Sequence, residues 1–132
     1  MPRVFRAMRR EADGQPTLDR TANALGVRIG TDIDVDNQNN AVVNDKGMSV
    51  SPSWRDLPIF RIPKRLGGQG SNNTHCFTGG TGAFQQTGFA AGLELLPDSP
   101  THGVVRPTLF GPLAQYEADL AATRADWRID ET

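Results

Sequence analysis

The chain has 132 residues, which is enough for one domain with a single hydrophobic core. Hydrophobic residues make up 37% of it, and 14 glycines and 9 prolines favour short elements joined by loops over a helical bundle. The formal net charge of −1 excludes a general electrostatic attraction of the whole chain to nucleic acids or membranes.

Cys76 is the only cysteine, so an internal disulfide cannot form and a reducing compartment is expected. No apolar stretch approaches the length that a bilayer-spanning helix needs, and the N-terminus lacks a signal-peptide pattern. We therefore expect a cytoplasmic protein, which would reach another cell only by a route without a cleavable signal.

The front half of the chain predicts short strands and at most one helix. Residues 3–8 form a first strand that ends in a turn over 11–14. Apolar residues at helical spacing over 17–28 are compatible with a short helix. Alternating aspartates and apolar residues, followed by asparagines, predict a hairpin over 32–44 with its aspartates facing outward. Residues 47–51 supply the next strand.

The middle of the chain is rich in proline and glycine. Residues 54–63 contain too many prolines for a regular helix, so we expect them to lie as an extended cover on the domain. Residues 66–73 have a flexible composition and predict a mobile flap. They are not a phosphate-binding loop, because the Gly-Lys-Ser/Thr ending is missing.

The back half predicts three strands, over 74–78, 89–96 and 103–108, followed by one helix. Pro112 suits the first turn of that helix, whose apolar stripe consists of Leu113, Tyr116, Leu120 and Trp127. Together these elements predict an α+β fold over residues 1–132. It would be a compact single domain of short, mostly antiparallel strands in two small sheets around a cleft, with one C-terminal amphipathic helix.

Arg6 is the first candidate for a functional residue, because it lies in the middle of a predicted strand. A buried guanidinium there must reach a carboxylate or a bound anion. The alternative is an ordinary solvent-facing arginine. Ser49 and Ser51 share one face of their strand and could hold a ribose or a phosphate, although a polar outer face explains them equally well. With His102, these residues could converge on a pocket for a phosphorylated ligand.

Metal sites have little support in the sequence. The aspartates of 32–36 open like a calcium loop, but the sixth position is Asn37 and the twelfth is Val43. His75 and Cys76 are adjacent, so they would point to opposite faces of a strand. We therefore expect no bound metal.

Two patterns resemble a family of small bacterial toxins with an ADP-ribosyltransferase-like fold, related to an NAD-dependent type VI secretion effector. They are an aromatic-Arg-Ala strand at the start and a closing pattern in the last third of the chain. The residues that carry the likeness are Phe5-Arg6-Ala7, then Thr101-His102, Pro107, Leu120, Arg124 and Trp127.

This resemblance implies a toxin-like enzyme that uses NAD, bound in a cleft between two sheets. It would transfer ADP-ribose to a macromolecular acceptor or hydrolyse NAD, and an immunity protein would neutralise it. Arg6, Ser49 and His102 would be catalytic, and Arg6, Ser49 and Ser51 would bind NAD. His102 occupies the position where the family usually has a glutamate.

The missing glutamate matters because breaking the nicotinamide–ribose bond develops positive charge on the sugar, which a nearby carboxylate stabilises. Glu94, Asp98 or Glu117 could supply it from another element, or His102 could contact the ribose without stabilising its positive charge as well. With the role of a ligand contact, Arg6 is expected to tolerate replacement by alanine without loss of the fold.

Two other hypotheses remain open at this point. One is a non-catalytic nucleotide-binding or protein-interaction module on the same fold, with Trp54 and the prolines as its contact surface. The other is a phosphotransferase that acts on 2′-phosphorylated RNA ends.

Overall fold

Nine strands, one α-helix and three short 3-10 turns make up the fold, and the computed structural model describes all 132 residues. The strands are β1 (Val4–Arg9), β2 (Asn40–Ala41), β3 (Met48–Val50), β4 (Thr74–Gly79), β5 (Thr87–Ala90), β6 (Leu93–Ser99), β7 (His102–Pro107), β8 (Gly111–Pro112) and β9 (Arg128–Ile129). The helix, α1, is Leu113–Ala122, and the 3-10 turns are Trp54–Asp56, Lys64–Leu66 and Arg124–Asp126.

The strands form three antiparallel sheets, in the orders β1-β4-β9, β3-β7-β6-β5 and β2-β8. The expected α+β fold with one C-terminal helix is confirmed, and the two-strand sheet β2-β8 is an addition to the two sheets that were expected. The two larger sheets meet where Phe5 and Ser51 exchange backbone hydrogen bonds of 2.7 and 3.0 Å. This junction brings β1 beside the end of β3.

The hydrophobic core lies between the sheets and α1. The helix buries Leu113, Tyr116 and Leu120 as predicted, whereas Trp127 lies beyond its end and after the last 3-10 turn. The Tyr116 hydroxyl donates a hydrogen bond to the Val105 carbonyl at 2.6 Å and accepts one from the Met48 amide at 3.1 Å. Burial raises the pKa of Tyr116, so its hydroxyl keeps the proton that it donates.

The structure differs at two places from what the sequence pattern indicated or allowed. Residues 17–28 form no helix, because the segment folds back on itself with the Leu25 amide bonded to the Thr17 carbonyl at 2.8 Å. The turn needs glycine at position 26, where a Cβ would lie 2.0 Å from the Asp19 carbonyl oxygen. The strand predicted over 89–96 is two strands, β5 and β6, because Gly92 turns the chain with φ 78°.

The hairpin predicted over 32–44 has the expected turn but little pairing. The Asp36 carboxylate accepts hydrogen bonds from the amides of Gln38 and Asn40, each at 2.9 Å, which fixes the turn. Val35 then forms a single bridge with Ala41, because the rest of the backbone pairing of Ala41 goes to β8. The segment therefore forms a turn and part of the small sheet.

The proline-rich segment 54–63 covers the outer face of the first sheet. Its Leu57 and Ile62 pack with Ala7 of β1 and Cys76 of β4 in a second, smaller cluster. The glycine-rich loop that follows lies against this cover, since the Gly70 amide donates to the Ile62 carbonyl at 2.7 Å. None of the helices combines the length and the apolar character that a membrane crossing requires.

The hydroxyl of Tyr116 is predicted to contribute strongly to stability, because it links α1 to both β3 and β7. Tyr116→Phe leaves a buried carbonyl and a buried amide without this partner, and we expect the free energy of unfolding to fall by about 1–3 kcal/mol. Urea unfolding followed by tryptophan fluorescence measures this change. Gln115→Ala, on the exposed side of the same helix, is the control and should stay within about 0.5 kcal/mol of the wild type. An equal loss in both variants would contradict the assigned role.

Candidate functional site

A cavity of about 150 Å³ lies where β1 of the first sheet approaches β3 and β7 of the second. All four residues that the sequence nominated, Arg6, Ser49, Ser51 and His102, line it. The structure thus brings together side chains from the start, the middle and the last third of the chain. Its polar lining is completed by Arg28, Asp32 and Arg61, which the sequence analysis did not assign to a site.

Strand pairing explains why the serines and the histidine meet. In the antiparallel pair β3 and β7, Ser49 lies opposite Val104 and Val50 opposite Gly103, and the same register places Ser51 opposite His102. Opposite residues project to the same face of a sheet. Ser49 is half-buried, whereas Ser51 is buried and its hydroxyl has no hydrogen-bond partner in the protein. A buried hydroxyl without a hydrogen-bond partner is unusual in a folded protein, and this one lies at the wall of the cavity.

Arg6 is only 6% exposed, and its partners differ from those expected. Its guanidinium donates to the carbonyl oxygens of Ala24 and Ser49, each at 2.9 Å, and of Gly26 at 3.4 Å. The prediction of a carboxylate or anion as its necessary partner is therefore wrong. Burial lowers the pKa of Arg6 to about 10, and nearby Asp32 opposes that effect. Arg6 stays cationic at neutral pH and also holds the wall of the cavity together.

Asp32 does not face outward as predicted. It is 9% exposed, and its carboxylate accepts hydrogen bonds from the Arg28 amide at 2.7 Å and from the Arg28 guanidinium at 3.1 Å. Burial alone would raise the pKa of Asp32, but the hydrogen bonds from Arg28 outweigh it and lower the pKa. Asp32 therefore lines the cavity as an ionised carboxylate that is already paired.

Arg61 and Phe60 complete the site on the side of the proline-rich cover. The Arg61 guanidinium lies 5.1 Å from the centroid of the Phe60 ring, and its side chain makes no hydrogen bond or ion pair within the protein. Phe60 is 59% exposed. Burial, followed by the nearby charge of Arg28, lowers the pKa of Arg61. Three guanidinium groups thus face one carboxylate, and the cavity has an excess of positive charge.

His102 lies at the edge of the cavity and is paired with Asp98. Its Nδ1 is 2.8 Å from each oxygen of the Asp98 carboxylate. The other two carboxylates that the sequence nominated lie outside the lining and have partners elsewhere, since Glu94 binds Arg106 and Glu117 binds Arg20, each at 2.7 Å. No glutamate lines the cavity.

The remaining candidates from the sequence lie away from this site. Cys76 is buried, and burial raises the pKa of its thiol to about 11, so it is not a nucleophile at neutral pH. His75 contacts Arg65 at 3.2 Å and Glu131 at 3.5 Å. No group of three or more His, Cys, Asp and Glu side chains is arranged to hold a metal ion.

The missed residues had weak signals in the sequence. Phe60-Arg61 pairs an aromatic with a cation inside the proline-rich cover, a combination that can mark a binding surface. Arg28 and Asp32 are four residues apart in a segment without regular structure, where no periodicity indicates the direction of a side chain. The inward turn of Asp32 depends on the hydrogen bond from the Asp32 amide to the Arg28 carbonyl, at 2.8 Å.

The contacts of Arg6 predict that Arg6→Ala damages the fold, contrary to the expectation from the sequence. The substitution removes the partner of three carbonyl groups, so we expect a loss of about 3 kcal/mol or more in the free energy of unfolding. Urea unfolding measures it. The matched control is Arg61→Ala, which removes an arginine from the same cavity but no hydrogen bond and should change stability by less than about 1 kcal/mol. A fully stable Arg6→Ala protein would show that these contacts contribute little.

Comparison with known proteins adds no relative to this description. No protein-family model, no curated protein and no solved structure matches the chain. The resemblance to the toxin family stays a prediction, based on the residues named above.

Proposed function

We propose that this protein binds NAD in the arginine-lined cavity and cleaves the bond between nicotinamide and ribose, so that ADP-ribose passes to a macromolecule or to water. The supporting observation is the convergence of Arg6, Ser49, Ser51 and His102, from three separate strand regions, on one positively charged cavity. In this proposal the protein acts as a toxin in the cytoplasm of a target cell, and an immunity protein protects the producer.

The size and charge of the cavity suit part of a dinucleotide. Its volume of about 150 Å³ is below the roughly 300–1,000 Å³ of typical small-molecule sites, so one portion of NAD would enter it and the rest would lie outside. Arg61 makes no hydrogen bond or ion pair in the protein and would meet the pyrophosphate. The buried, unpartnered hydroxyl of Ser51 would bond to a ribose or phosphate oxygen that enters the cavity. The exposed ring of Phe60 offers a stacking surface for a ring of NAD beside it.

Cleavage requires the site to tolerate a ribose that becomes positively charged. Asp32 is the one carboxylate in the lining, and it replaces the more distant Glu94 and Glu117 as the candidate for this role. Arg6 would act at the pyrophosphate or ribose through the part of its guanidinium that faces the cavity. Ser49 would help to hold the nicotinamide ribose.

A second candidate function is nucleotide binding without turnover. The observation in its favour is that Asp32 already accepts hydrogen bonds from both the amide and the guanidinium of Arg28. A carboxylate whose charge is already balanced by an arginine stabilises a second cation less well, whereas three arginines remain well suited to bind phosphate groups. The same cavity would then serve a binding module.

NAD turnover and its dependence on Arg61 separate these two functions. We expect the purified wild type to release nicotinamide from NAD, and we expect Arg61→Ala to raise KM by about tenfold or more, because a charged hydrogen bond to phosphate is lost. Ser51→Ala should lower the turnover of NAD without loss of stability, because the Ser51 hydroxyl makes no hydrogen bond in the protein and its removal leaves no group unpaired. Nicotinamide release is followed by liquid chromatography.

Arg128→Ala serves as the control, because Arg128 is exposed, lies outside the cavity and makes no side-chain hydrogen bond. Its kinetics should equal those of the wild type. NAD binding that Arg61→Ala weakens, without any turnover, would favour the binding module. If the wild type neither binds nor consumes NAD, both assignments to NAD are wrong.

A further inference from the structure

A hydrogen-bonded aspartate–histidine pair stands at the edge of the cavity, and no part of the proposed function yet uses it as a pair. Asp98 lies on β6 and His102 opens β7, so the turn between these strands brings them together. Their contact is 2.8 Å from Nδ1 to each carboxylate oxygen. Because an ionised carboxylate only accepts hydrogen bonds, this contact assigns the ring proton to Nδ1 and leaves Nε2 as the acceptor nitrogen of a neutral ring.

Nε2 of His102 is the ring nitrogen left for a bound molecule, because it has no hydrogen-bond partner within the protein. His102 is one of the residues that line the cavity, and the register of β3 and β7 places it opposite Ser51, whose buried hydroxyl is also unpartnered. Two free polar groups on neighbouring strands therefore share one face of the site.

We propose that Nε2 of His102 accepts the proton of a hydroxyl nucleophile, either water or an alcohol group of the acceptor, and that Asp98 is the positioning residue for this step. The inference rests on the proposed NAD-cleaving function and names the class of acceptor. The nucleophile's O–H bond breaks and its oxygen bonds to C1′ of the nicotinamide ribose. The C1′–N bond breaks and its electron pair passes to the pyridinium nitrogen, so neutral nicotinamide leaves and the proton stays on Nε2.

The charges around the cavity favour a hydroxyl over the other common acceptors. A guanidinium acceptor carries a positive charge and would be repelled by Arg6, Arg28 and Arg61. A neutral imidazole is also too weak a base to deprotonate a guanidinium. A carboxylate acceptor needs no base at all and would leave the Asp98–His102 pair without a role.

The pair is also placed to release its proton. The Asp98 side chain is 56% exposed and that of His102 is 36% exposed, so water reaches the pair from outside the cavity. His75, the chain's only other histidine, has Glu131 nearby but lies outside the lining. It is therefore a matched control for the loss of a histidine beside a carboxylate.

The test measures NAD cleavage by the full chain in water, with added methanol, and with agmatine as a guanidinium acceptor, and identifies the products by mass spectrometry. We expect ADP-ribose, an O-methyl adduct and no agmatine adduct. His102→Gln should lower kcat about 100-fold or more, with KM for NAD within about threefold of the wild type, because a general base acts on the chemical step. His75→Gln should leave both constants unchanged.

The positioning role of Asp98 is tested by the effect of its substitution on the reaction and on the protonation of the His102 ring. Asp98→Asn should lower kcat about tenfold without a change in KM, and Asp98→Glu should restore part of the loss. Nitrogen-15 NMR of the histidine rings gives a readout that does not depend on NAD. The wild type should show His102 protonated at Nδ1, and Asp98→Asn should weaken this preference.

Three results would overturn the inference while the wild type stays active on NAD. The first is a kcat of His102→Gln equal to that of the wild type. The second is an agmatine adduct that forms at the same rate in the wild type and in His102→Gln. The third is a His102 ring protonated at Nε2 rather than Nδ1 in the free protein. A wild type that cleaves no NAD with water, methanol or agmatine is a different result. It refutes the proposed function, and the acceptor assignment falls with it.

Discussion

The hydrogen bonds of the Arg6 guanidinium to the carbonyl oxygens of Ala24, Gly26 and Ser49 are the contact on which the site depends. They join β1 of the first sheet to an irregular loop and to β3 of the second sheet. The loop has no regular structure of its own, so hydrogen bonds from the arginine side chain, rather than strand pairing, hold it against the sheets. An arginine suits this position because its donors spread in a plane and can reach several carbonyls at once. The same contact leaves a permanent positive charge at the cavity wall, and fold and ligand preference thus share one residue.

The burial of this charge requires compensation from its surroundings. Carbonyl dipoles satisfy the hydrogen bonds of Arg6, and the carboxylate of Asp32 favours its charged form, since Asp32 opposes the effect of burial on the pKa. Asp32 in turn is held by Arg28, whose own pKa is raised by that hydrogen bond. The cavity wall is therefore a chain of coupled charges rather than a set of independent contacts. Removal of one member changes the electrostatic environment of the next.

The sequence predicted the elements with regular patterns, and it failed where the direction of a side chain depends on tertiary contacts. Alternation placed Ser49 and Ser51 on one face of their strand, and in the structure Met48 and Val50, on the other face, belong to the core. The same argument placed Asp32 outward, because it assumed a strand where the chain makes a turn. The short helix that the spacing allowed over 17–28 is absent for a similar reason, since close approach at Gly26 overrides the helical spacing of the apolar residues. That Arg6, Ser49, Ser51 and His102 converge was a hypothesis based on their residue types. Only the strand register of the folded protein shows that Ser51 and His102 are neighbours.

The proposed function would place two opposing demands on this cavity, because phosphate binding needs positive charge and cleavage of NAD creates more of it on the ribose. In this proposal the arginines would meet the first demand, and Asp32 would meet the second only in part, as it is paired with Arg28. A proton arriving on His102 would add a further positive charge near the ribose. The carboxylate of Asp98 offsets that charge through its contact with Nδ1, and it does so from the solvent side, outside the cavity lining. Because the negative charge of Asp98 contacts His102 on the side away from the cavity, it can stabilise a protonated His102 without weakening the attraction of the arginines for phosphate.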